Sequence, residues 1–127
     1  MVVAVLGIIL AALVPRLTLG PRTRAKEASA RAQVVLFSAA IEAFKVDNGD
    51  YPSGTHALAS LFRLPANAPH WHGPYLKVEN GIPVDPWGKA YLYKYPGYHN
   101  ADSFDIMSAG PDEHFGTDDD IGNWPRP

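Results

Sequence analysis

A chain of 127 residues has room for one domain and a short extension. With 46% hydrophobic and 19% charged residues it is neither disordered nor fibrous, and its 11 glycines and 12 prolines point to many turns and short elements. The absence of cysteine excludes a disulfide scaffold, a thiol nucleophile and any thiolate metal site. A net charge of -2 excludes a general electrostatic grip on nucleic acid.

The charge is unevenly spread. Residues 1–15 carry none. Arg16, Arg22, Arg24, Lys26 and Arg31 then face a single acid, Glu27. Between Asp102 and Asp120 there are seven acids and no Lys or Arg. An apolar head, a basic collar and an acidic end suggest separate tasks for the two ends.

The head, Met1 to Val14, is uninterrupted apolar sequence ending at Pro15. It is shorter than the roughly 20 residues that span a membrane. It also lacks the leading positive charge of a secretory signal. With no polar face it must be buried in a core, or form the end of a membrane helix that starts earlier. Pro15 and Gly20-Pro21 are expected to kink or weaken a helix there.

From Arg22 a helical period takes over. Ala25, Ala28, Ala32, Val35, Leu36, Ala39, Ala40, Ala43 and Phe44 recur at steps of three and four, which makes them the expected buried stripe. Asn48-Gly49 supplies the stop. A short second helix is expected over residues 56–64, and a loop over 65–74. Strands are expected at 75–78, at 90–95 (AYLYKY) and at 104–108 (FDIMS), separated by turns at Glu79-Asn80-Gly81 and Trp87-Gly88-Lys89. No helix of crossover length separates these strands, so the sheet is expected to be antiparallel and the class α+β.

Few residues suggest chemistry. The nucleotide, hydrolase and zinc signatures are missing. His70 and His72 lack a third ligand and read as surface histidines. Tyr91, Tyr93, Tyr95 and Tyr98 could form a carbohydrate platform, but at strand spacing they suit a sheet face packed on a helix. Nothing places Glu42 and Asp47 together as a catalytic pair. The acidic end is more informative. Asp112, Asp118, Asp119 and Asp120 share one loop with Gly116 between them, and calcium takes six to eight hard oxygens from such a loop. A solvated acidic turn is the other reading. The pattern is not an EF-hand.

Several motifs then occur in a fixed order. After the apolar head come Asp47-Asn48-Gly49-Asp50-Tyr51-Pro52, Asp85-Pro86-Trp87-Gly88, Ser108-Ala109-Gly110-Pro111-Asp112 and Asp119-Asp120-Ile121-Gly122-Asn123-Trp124. Over essentially its whole length the chain resembles the major pseudopilins of type II secretion systems, the G-subunit family, within the type IV pilin-like class. The resemblance implies a long N-terminal helix packed on a small antiparallel sheet, closed by a calcium loop. It implies two parts: a membrane and filament segment at residues 1–21, and a periplasmic domain at 22–127. Family members carry a basic leader, a methylated first residue and a docking glutamate before the apolar run. This chain starts inside that run, so about six further residues would bring the head to spanning length.

The implied role is a non-enzymatic subunit of the bacterial inner membrane. It would polymerise with its own copies and other pseudopilins into a periplasmic filament, on an inner-membrane platform, and drive folded proteins across the outer membrane. The implied calcium site uses side chains of Asp112, Asp119 and Asp120 and backbone carbonyls near Ala109, His114 and Thr117. Asp118 is the weaker candidate, because the family often has an uncharged residue there. The alternatives are a type IV pilin or minor pseudopilin, and a membrane-anchored calcium-dependent binding module.

Overall fold

The computed structural model describes residues 2–66, 68–77 and 81–125, with the backbone alone described for residues 2–21. One helix dominates, α1 (Val2–Asn48, 47 residues). Its helical assignment is unbroken through Pro15 and Gly20-Pro21, where the sequence predicted a kink or weakening. The side chains of the apolar head lie outside the described residues. Among the described residues no helix is long and apolar enough to cross a membrane.

The stop falls where glycine puts it. Gly49 has φ +86° and donates its N–H to the Lys45 carbonyl at 2.8 Å. The Asn48 side-chain amide caps the Phe44 carbonyl at 2.9 Å. Carbonyls orphaned by the helix end are thus satisfied, and Lys45 in the last turn suits the negative end of the helix dipole.

A three-stranded antiparallel sheet follows, in the order β1 (Leu92–Lys94), β2 (Asp105–Ser108), β3 (Ile121–Gly122). Leu92 pairs with Met107 and Lys94 with Asp105, while Met107 pairs with Gly122 and Ser108 with Ile121. The central strand β2 is buried at every position. β1 is shorter than the expected 90–95 at both ends; at its C-terminal end Pro96 has no N–H to extend the ladder. Ala90 contributes only an isolated bridge to Val84. β3 is too short to show an alternating pattern and has no counterpart in the sequence reading.

Two expected elements change form. The second helix is a 3-10 turn at Leu58–Leu61. The strand expected from Tyr75 is not formed over residues 75–77: the N–H groups of Tyr75 and Leu76 both bond to the Leu61 carbonyl, at 2.6 and 3.2 Å. Val78 and the turn residues Glu79 and Asn80 lie outside the described residues.

The largest correction concerns which face of α1 is buried. Ala30, Val34, Phe37, Ala40, Ile41 and Phe44 enter the core with Tyr51, Leu61, Tyr91, Phe104, Ile106 and Ile121. Val35 is 65% exposed and Leu36 55%. Ala25, Ala28, Ala32, Ala39 and Ala43 are exposed as well. The helix is apolar on two opposite sides, so periodicity alone could not say which side its own domain covers. The larger side chains of Phe37 and Ile41 settle it, since they bury more area per contact. Phe37→Ala is expected to cost about 3–5 kcal/mol in denaturant unfolding. Leu36→Ala should stay within about 0.5 kcal/mol of the parent.

Candidate calcium loop and the clamps that hold it

The C-terminal loop is held at its root by two buried polar residues, Asp85 and Ser108. Asp85 Oδ1 accepts the N–H groups of Trp87 and Lys89 at 3.1 and 2.7 Å, which closes the Asp-Pro-Trp-Gly turn. Its Oδ2 accepts the Ser108 hydroxyl at 2.7 Å, and Ser108 Oγ in turn accepts the Gly110 N–H at 3.1 Å. One carboxylate thus ties the turn to the end of β2 and the start of the loop. Gly110 has φ +78°, and a Cβ there would fall 2.3 Å from the Asp119 carbonyl oxygen. Only glycine lets the two ends of the loop approach so closely.

Within the loop the predicted residues make a web. Asp112 Oδ1 accepts the His114 N–H at 2.9 Å, and Asp119 Oδ2 accepts the Asp112 N–H at 3.0 Å. Asp120 Oδ2 accepts the Gly116 N–H at 2.7 Å. The Thr117 hydroxyl oxygen lies 2.5 Å from Asp119 Oδ1, 3.1 Å from the His114 carbonyl and 3.5 Å from Asp120 Oδ1. Its single proton can serve only one of them at a time. The His114 N–H, with the Thr117 hydroxyl and the Asp119 side chain, holds the Asp112 carboxyl below its ordinary value. Ala109 is buried at the loop's root, and Asp118 is exposed. Lys89 Nζ reaches across to the Glu113 carbonyl.

The donors fit calcium in kind, since all are hard oxygens. Their placement is looser. Among the described residues no three Asp, Glu or His side chains are grouped closely enough to hold a metal ion. The carboxylates of Asp112, Asp119 and Asp120 are instead occupied by N–H and hydroxyl donors of the loop itself.

The other sequence candidates have structural partners. His72 Nδ1 lies 2.6 Å from the His70 carbonyl. Glu42 accepts the Tyr51 hydroxyl at 3.0 Å, whereas Asp47 accepts that of Tyr75 at 2.7 Å, so the two acids serve different tyrosines. Tyr91 packs edge-on against Phe37 at 5.1 Å, and burial pushes its hydroxyl up to about 12. Tyr93 donates to the Pro52 carbonyl at 2.6 Å and Tyr95 to Asp50 at 2.7 Å. The expected packing on the helix holds for Tyr91; Tyr93 and Tyr95 pack instead against Phe104 and Tyr51, beyond the end of α1, and Tyr98 is 80% exposed.

One group escaped the sequence reading. Asp105, wholly buried in β2, accepts the N–H groups of Tyr98, His99 and Asn100 at 2.7, 2.8 and 3.0 Å, and the Asn100 side chain at 3.0 Å. Asn123 works beside it, accepting the Ile106 N–H at 3.0 Å and donating to the Phe104 carbonyl at 2.9 Å. A charge inside an alternating strand was the available signal.

Comparison with known proteins agrees with these motifs. The chain matches the family "Type II secretion system (T2SS), protein G" over residues 18–124. It is similar to the type II secretion system core protein G of Escherichia coli strain K12, at 35% identity over 97% of this chain and 83% of that protein. Its identity to the Pseudomonas aeruginosa core protein G is 38%, over 97% of this chain and 87% of that one. Its fold is similar to the crystal structure of the major pseudopilin from the type 2 secretion system of enterohaemorrhagic Escherichia coli. There the TM-score is 0.65 at 29% identity, covering 84% of this chain and 92% of the other.

Burial raises the Asp105 pKa, but the N–H groups of His99, Asn100 and Tyr98 outweigh it and hold the group below 3.8. The charged form is therefore the one the fold stabilises. That stability is complete above the ordinary carboxylate range and drains as pH falls through it toward the lower folded-state value. Asp105→Asn would set an amide against N–H donors, at a cost of about 3 kcal/mol at neutral pH. Urea melts from pH 7 to pH 2 should show that loss, and a flatter decline in acid than the parent's.

Proposed function

The chain belongs to the type II secretion system protein G family and serves as a major pseudopilin, and from that premise we infer that its copies self-associate through the exposed apolar side of α1. The observation that carries this reading is the second apolar face. Ala28, Ala32, Val35, Leu36, Ala39, Ala43 and Val46 face away from the core, and Val46 is 82% exposed. Small residues predominate on it, so another helix could approach closely. Arg24, Arg31 and Glu42 border the stripe and would set register between neighbours.

In this reading the apolar head anchors the subunit in the bacterial inner membrane as a single pass and packs into the filament core during assembly. The domain from residue 22 onward lies in the periplasm. The filament includes other pseudopilins, rises from an inner-membrane platform and drives folded proteins outward. The subunit acts mechanically and catalyses no reaction. Val35→Glu combined with Ala39→Glu should leave unfolding of the full chain within about 1 kcal/mol of the parent. The same variant should abolish filament formation and secretion in cells. Normal filaments in the variant would remove the face from the interface.

The acidic loop is proposed to hold one calcium ion in the assembled system. On binding, Asp112, Asp119 and Asp120 would exchange their loop N–H and hydroxyl donors for the ion and draw together to supply carboxylates, and carbonyls near Ala109, His114 and Thr117 would complete the shell. What supports this is the crowd of oxygens around the Thr117 hydroxyl: a cation there would satisfy all of them at once, where one proton satisfies one. Binding would stabilise the fold by about 2.7 kcal/mol when free calcium stands a hundredfold above the dissociation constant. A chelator should therefore lower Tm and open the loop to protease, and excess calcium should restore both. Asp119→Ala should lose the response, and Asp102→Ala should keep it. A melting curve indifferent to calcium would leave the loop a solvated turn.

A further inference from the structure

On the outward side of the sheet, Leu92 of β1 and Met107 of β2 form a cross-strand pair. Beside them opens a groove of about 760 Å³, bordered by Tyr98, His99 and Trp124 and by Phe115 and Asp118 of the C-terminal loop. The volume is that of an ordinary small-ligand site.

The aromatic corner of this groove is fixed, and Tyr98 and His99 are exposed there. His99 stacks on Trp124 with ring centroids 3.8 Å apart and planes inclined by 13°. Tyr98 stands edge-on to His99 at 5.4 Å. Trp124 sits over Gly122, where a Cβ would fall 2.2 Å from the indole. The buried carboxylate of Asp105 holds the backbone of both Tyr98 and His99. An aromatic side chain that is 80% exposed on a backbone held this firmly is already organised for a ligand, so little ordering remains to be done on binding.

The polar groups at the rim narrow the ligand class. Lys94 Nζ lies 5.9 Å from the Tyr98 ring centroid. The Asp118 carboxylate accepts no hydrogen bond among the described residues, and Asp120 keeps Oδ2 on the Gly116 N–H. A cationic ligand would meet Lys94, and an anionic one would meet Asp118 and Asp120. A neutral molecule with apolar ring faces and a hydroxylated rim suits both signs of charge and the aromatic walls together. We propose that this groove binds a neutral saccharide, stacked on the exposed ring of Tyr98 beside the His99–Trp124 pair, with its hydroxyls bridging the Asp118 carboxylate and the Lys94 ammonium group.

The test uses the full chain in a detergent without a sugar headgroup, titrated with chitotriose and with maltotriose while tryptophan fluorescence is followed. At least one trisaccharide should give a saturable change. Tyr98→Ala should weaken that binding about tenfold, as should Asp118→Ala, with Tm unchanged because both side chains are exposed. Three results would overturn the assignment. They are no saturable change with either sugar, binding undiminished in both variants, or binding of oligolysine where neither sugar binds.

Discussion

The fold depends on the packing of Phe37 and Ile41 of α1 against Tyr91, Ile106 and Ile121. The sheet has strands of three, four and two residues, too little to stand in water without a partner surface. Side chains at i and i+4 on α1 supply that surface along one line. Because β2 is central and buried at every position, one face of it must meet α1 while the other lies beneath the outer segments.

Short strands leave many backbone groups unpaired, and buried carboxylates take over part of the work of a ladder. Asp105 gathers three successive N–H groups that no strand accepts, and Asp85 gathers two more together with Ser108. Unsatisfied buried N–H groups are costly, so these acids shape the irregular segments much as pairing shapes strands. The same bonds bring the Asp-Pro-Trp-Gly turn, the root of the acidic loop and the end of β2 to one place. In this chain Asp85, Ser108, Gly110 and Asn123 are thus internal clamps. Tyr51, Tyr75, Tyr93 and Tyr95 extend the scheme by tying the helix exit to its surroundings through their hydroxyls.

A helix apolar on two sides suits a subunit of an assembly. The side with Phe37 and Ile41 builds the domain, and the opposite side, rich in alanine, is left for contacts beyond it. Under the proposed mode of assembly, stability and assembly would vary separately, because they would use different residues of one element.

The sequence by itself determined the class, the long helix and its stop at Gly49, the antiparallel sheet and the family. Those rest on local signals: a helical period, a left-handed cap, alternation at residues 104–108 and four motifs in order. It also located the acidic loop, since clustered carboxylates are visible in composition. Only the tertiary structure decided which side of α1 is inside, because two apolar faces share one period and the choice belongs to the sheet that covers one of them. It decided that Tyr75 bonds to the 3-10 turn, and that two residues at Ile121 make a strand, since so short a segment acquires its pairing entirely from β2. It decided the role of Asp105, whose charge is tolerated inside a strand only because three N–H groups from a distant loop converge on it. Those donors come from residues that no spacing rule connects to position 105.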